Sequence, residues 1–131
     1  DIGSLGFYSE EPNSQSSPHD FDIGFPAIGN FIALIGKRSS HQSMSLFVSG
    51  FTKRLNSPVH KVSLNDEEAS AFDGLSAFTE KGYPIIRVSD TGALRYPHHA
   101  KKTDTPDKIN FYKMAEILKA LSLTISTELN S

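Results

Sequence analysis

Cysteine is absent from all 131 residues. That excludes a disulfide framework, a thiolate nucleophile and any Cys-based metal site, though it leaves the compartment open. No apolar run approaches the 18 or so residues that a membrane-spanning helix requires, so no membrane partner is expected. Charge of one sign is not in excess either. Thirteen Lys and Arg stand against 15 Asp and Glu, for a formal net charge of -2. That balance offers no electrostatic reason to expect nucleic acid as a partner. Neither a basic n-region nor an apolar h-region follows the opening Asp-Ile-Gly, so no signal peptide is expected. An opening without Met reads as a processed product or a cut segment. Glycine-rich phosphate loops, a Gly-x-Gly-x-x-Gly fingerprint, a Ser-centred elbow and internal repeats are also missing from the sequence.

What is present has the composition of one globular domain: 37% hydrophobic and 21% charged residues, a length suited to one core. Ser4–Ser9 (SLGFYS) reads as a short strand, followed by a polar loop from Glu10 to Asp20. Phe31–Gly36 (FIALIG) is a near-continuous apolar run of strand length, predicting a strand buried on both faces. Met44, Phe47, Val48, Phe51 and Leu55 lie at helical spacing, and Pro58 closes that helix. Val59–Leu64 predicts an edge strand and Asn65–Ser70 an acidic loop. Leu75–Lys81 predicts a short helix stopped by Gly82, and Pro84–Ser89 a further strand. From Asn110, the expected N-cap, to about Thr127 the spacing predicts a final helix that packs Met114, Ile117, Leu118, Leu121 and Ile125 on the sheet. This alternation predicts an α/β fold, a three-layer sandwich with a mixed, twisted sheet flanked by helices.

Three stretches carry a resemblance. The first is Leu5–Gln15 (LGFYSEEPNSQ) with Gly29–Ala33 (GNFIA). The second runs from Phe72 to Asp90 and includes Phe78, Lys81–Pro84 (KGYP) and Val88–Thr91 (VSDT). The third is Arg95–Met114 (RYPHHAKKTDTPDKINFYKM). In order and spacing they resemble the carboxy-terminal half of the co-catalytic zinc aminopeptidase family, whose relatives include glutaminyl cyclases and the peptidase-like domain of transferrin receptor. The resemblance implies two zinc ions held at the carboxyl ends of central strands. It also implies that a metal His, a bridging Asp and a Glu pair belong upstream of this segment.

A co-catalytic zinc site needs imidazole nitrogen and carboxylate oxygen at about 2.0–2.2 Å and a base beside the bound water. The resemblance places an acid ligand at the position of Gly3 and a His ligand at the position of Ala100. Neither residue can donate. Asp1 lies on the face of Gly3 but about 6.6 Å along an extended chain. His99 is the remnant metal candidate, reachable by a one-residue shift, and no catalytic residue is assigned. By resemblance Asp90, Thr91, Tyr96, His98 and Asp104 line the pocket. The family's Ser-Asp-His triplet is replaced by Asp73, Gly74 and Leu75.

Plainer readings stand beside these. His98 and His99 also read as solvated loop, Asp104 and Asp107 as turn and cap residues, and Lys101-Lys102 as a solvated pair. Asp90-Thr91 also reads as a strand-closing turn. His19, His41 and His60 show no ligand spacing, and Asp66-Glu67-Glu68 reads as solvated rather than cation-binding. The expectation is therefore a zinc-aminopeptidase-like domain that is non-catalytic as it stands, with a binding or assembly role and no cofactor. The alternative is a fragment of an active zinc exopeptidase, with zinc as cofactor and the other ligands upstream. Partners are then the missing amino-terminal half or a homo-oligomer formed through Phe31–Gly36 or the amino-terminal strand, because bare strand edges recruit partners.

Overall fold

The computed structural model describes residues 1–20, 22–72 and 74–131. Its sheet has three strands: β1 (Ile32–Lys37), β2 (Val59–Leu64) and β3 (Arg87–Ser89), in the order β2-β1-β3. β1 pairs parallel with β2, Ile32 opposite Val59, and antiparallel with β3, Leu34 opposite Val88, so the sheet is mixed. Among the described residues five α-helices accompany it: α1 (Arg38–Ser43), α2 (Ser45–Lys53), α3 (Asp66–Ala71), α4 (Ser76–Glu80) and α5 (Phe111–Leu129).

β1 is apolar from Ile32 to Gly36, as suits a strand covered on both faces, and ends in the partly exposed Lys37. Ile32 and Leu34 pack into one cluster with Val48 and Phe51 of α2 and Ile117, Ala120 and Leu121 of α5. Phe31, Ala33 and Ile35 point the other way, into a cluster with Val62, Leu64, Ala69 of α3 and Leu75. Helices thus lie on both sides of the sheet, and the α/β sandwich has the expected layers.

Several local expectations are corrected. Ser4–Ser9 is not a strand. Gly6 adopts φ +121, a conformation that favours glycine, and its carbonyl accepts from Asn110 N–H instead of a ladder partner. Strand-like pairing falls earlier, where Ile2 bridges Val88 in parallel and Gly3 N–H donates to Val88 O at 2.9 Å. Asn65–Ser70 is not an acidic loop. Asn65 accepts from Glu68 N–H while the Glu68 carboxylate accepts from Asn65 N–H, a capping box that starts α3. β3 is shorter than Pro84–Ser89, since Ile85 N–H donates to the buried Ser40 hydroxyl of α1 rather than to a strand.

Phe31–Gly36 cannot be an association edge, because β1 is paired on both sides. The margins of the sheet are β2 and the Asp1–Ser4 segment. On α5 the buried residues are Ile117, Ala120, Leu121 and Thr124, whereas Leu118 and Ile125 are 45% and 46% exposed. The face that meets the sheet is rotated from the predicted one. Asn110 does cap α5, accepting from Lys113 N–H at 3.0 Å. Asp73 lies outside the described residues. Among the described residues no helix is long and apolar enough to cross a membrane.

Candidate functional site

The chain leaving β3 builds the site. Asp90 follows the strand directly and is 3% exposed. Its backbone N–H donates to Ser4 O at 2.8 Å, which ties the strand end to the amino-terminal segment. Its carboxylate accepts from Phe7 N–H and from Gly92 N–H, both at 3.0 Å. Such charge-assisted bonds to two amides fix two loops at once. Thr91 then turns the chain with φ 71, a strained conformation for a β-branched residue. It is held there by Ser89 Oγ, which accepts from its N–H at 2.9 Å, and by hydroxyl bonding to the Gln15 amide.

Arg95 anchors the same loop from inside. It is 5% exposed, its Nε donates to Gln15 Oε1 at 2.9 Å and its Nη1 to Phe7 O at 3.2 Å. The guanidinium lies 4.6 Å from the Phe31 ring centroid and 5.7 Å from that of Tyr8. Burial lowers the Arg95 pKa to about 10, opposed by the charge of Asp90 and by Tyr8. Burial, with Asp90, pushes the Tyr8 phenol up. This Thr91–Gln15–Arg95 network went unread in the sequence. Its partners sit 76 and 80 residues apart, and no local pattern joins them.

Beyond Arg95, the Tyr96 ring packs 4.9 Å from that of Phe7, and its hydroxyl donates to Asp104 Oδ1 at 2.7 Å. Partial desolvation, the bond to Asp104 and the charges of Asp104 and Asp107 raise the Tyr96 pKa to about 12. Hydrogen bonds from Lys108 and Thr105 hold Asp107 down at about 2. Phe7, Asp90, Tyr96, His99, Asp104 and Lys108 together line a cavity of about 190 Å³. Four of the six residues singled out from the sequence therefore meet there: Asp90, Tyr96, His99 and Asp104. Two do not. Thr91 faces a neighbouring hollow of about 150 Å³, and His98 binds Thr103 Oγ1 through Nδ1 at 2.8 Å. A larger depression, about 860 Å³, lies elsewhere, between Lys37, Ser63 and Glu68. It is an open surface groove in which Lys37 and Asp66 pair at 2.6 Å, and its exposed ions supply no converging chemistry.

The comparisons with known proteins add one relative. No family model matches the chain, and no solved structure matches it. The Uncharacterized protein YfbL of Escherichia coli (strain K12) is 22% identical over 116 residues, covering 87% of this chain. The chain spans only 36% of that protein's length.

The residues present do not fit a resident zinc ion. Among the described residues no three His, Asp or Glu converge at metal-holding distance. The Asp90 carboxylate is oriented by two amides and Asp104 Oδ1 by a phenol, without a third ligand beside either. At Gly3 a Cβ would stand 3.0 Å from Ser89 Oγ and 3.3 Å from the Arg87 side chain, so an acid there would force its neighbours to move. Ala100 occupies φ +55 within the turn, where the resemblance has its His.

Proposed function

We propose that this chain is a zinc-aminopeptidase-like domain, non-catalytic as it stands, whose cleft at the end of β3 serves binding or assembly. The observation that carries the reading is the convergence on one cavity. Phe7, from the first resembling stretch, Asp90, from the second, and Tyr96, His99 and Asp104, from the third, line the same 190 Å³. A space of that size suits a small polar group or one side chain, with apolar walls from Leu5 and Phe7 and polar groups from Asp90, Tyr96 and Asp104.

The experiment incubates the chain with zinc, dialyses it, measures bound metal and assays a leucyl chromogenic substrate. Sub-stoichiometric metal and no turnover are expected, since water is activated only by a metal with three or four converging ligands. Tightly held stoichiometric zinc, with turnover lost in His99→Ala, would overturn the reading.

A second reading makes this segment part of an active exopeptidase whose remaining ligands lie upstream. It is favoured by the 36% coverage of the Escherichia coli relative, most of whose length lies outside the match. Stoichiometric zinc and leucyl hydrolysis in a longer chain, absent from this one, would establish it.

A further inference from the structure

We infer that the outer edge of β2 is a strand-addition site for an extended segment of a partner protein that sets an acidic side chain against Lys61. In the order β2-β1-β3, β2 is paired on one side only. Ile32 N–H donates to Pro58 O, and Ile32 stands opposite Val59. That register turns the amides and carbonyls of His60 and Val62 toward β1, and those of Val59, Lys61 and Ser63 outward. Among the described residues none of these three has a backbone partner on the outer side. Donors and acceptors repeating at every second residue, about 6.6 Å apart, are the complement of another extended chain. The edge lies across β1 from β3 and its cleft, so the two sites are separate.

Side chains then select among extended chains. Lys61 is exposed at the middle of the outward-facing set. A second copy pairing antiparallel along the whole edge would put Lys61 directly against Lys61. Like charges so placed are destabilising, and lysine on an edge strand guards against self-pairing. A carboxylate opposite Lys61 reverses the sign of that interaction. On the other face Val62 is 4% exposed, and the His60 ring lies 5.9 Å from that of Phe25. The residues on either side of the incoming acid meet Val62 and this aromatic pair, so they are apolar. The fitting segment reads polar, apolar, acidic, apolar, polar. It runs antiparallel to β2, the more stable ladder, and exchanges about six backbone hydrogen bonds with Val59, Lys61 and Ser63.

The probe is the end-capped pentapeptide Thr-Val-Glu-Val-Thr, titrated to about 2 mM into the full chain and followed by amide NMR and hydrogen exchange. In the free chain the amides of Lys61 and Ser63 should exchange fast and those of His60 and Val62 slowly. The peptide should slow the first pair. Lysine in place of its acid should weaken binding about fivefold, and Lys61→Glu should invert that preference. Lys61 is exposed, so this variant should melt with the parent, and Lys61→Gln should bind both peptides alike. N-methylation of the central residue, whose amide faces β2, should abolish binding, whereas N-methylation of either valine should not. Lys61 and Ser63 amides already protected in the monomer would overturn the inference, and so would a dimer that protects them. It would equally fall if nothing bound at about 2 mM, if central N-methylation had no effect, or if Lys61→Glu left the preference unchanged.

Discussion

Replacing Ile117 and Leu118 separately with alanine sets two adjacent isomeric side chains against each other on one helix. Ile117 is 0% exposed and packs among Ile32, Leu34, Phe51 and Val88 between α2 and the sheet. Truncating it removes three carbons from a closed site and leaves a void that β1, paired on both edges, cannot collapse to fill. The expected loss is roughly 2–5 kcal/mol. Leu118 is 45% exposed, so about half of its transfer energy is already forgone and no enclosed cavity forms. Alanine's higher helix propensity returns a few tenths of a kcal/mol, and the net loss should stay under about 1 kcal/mol. Urea unfolding followed by circular dichroism, at a concentration where the chain is monomeric, measures both against the parent with a common slope. Equal losses, or a larger loss for Leu118→Ala, would refute the rotation of α5 described here and restore Leu118 to the core.

Two further outcomes are expected. Asn65→Ala removes one half of the capping box of α3 and should cost about 1 kcal/mol, with amide protection lost first at Glu68. In a spectrophotometric titration Tyr96 should ionise near 12 rather than at its ordinary 10, and Asp104→Asn should lower that value. A phenol with a raised folded pKa contributes stability that is complete below pH 10 and is lost as pH rises through about 12. A Tyr96→Phe chain that keeps the full number of late-ionising phenols would contradict the assignment.

The parts of the fold legible in the sequence were those set by long local patterns. An apolar run such as Phe31–Gly36 has few ways to be buried except as a central strand, and α5 combines a cap at Asn110 with nineteen helical residues. Which face of α5 meets the sheet was not legible, because the helix carries two apolar stripes at compatible spacing and periodicity weighs them equally. α3 was missed although Asn65 and Glu68 spell a capping box, since only Ala69 is buried and no apolar stripe follows it. The Ser4–Ser9 reading failed where Gly6 turns the chain away. In the site, Asp90, Tyr96, His99 and Asp104 were reached through the resemblance. The roles of Arg95 and Gln15 were not, because a buried guanidinium between two aromatic rings is a tertiary fact with no local spacing.

Three of the bonds that hold the cleft and its anchoring loop share one property, their distance along the chain. Phe7 to Asp90 spans 83 residues, Gln15 to Thr91 spans 76 and Gln15 to Arg95 spans 80. Loops of that length close at an entropic cost that no local turn offsets. The pairing of β1 with β2, by contrast, joins residues 27 apart, Ile32 opposite Val59. The walls of the cleft therefore depend on long-range contacts and not on any local turn. The first fifteen residues are thus a wall of the cavity as well as a margin of the sheet, and whatever loosens their bonds to Val88, Asp90 and Arg95 opens the cavity.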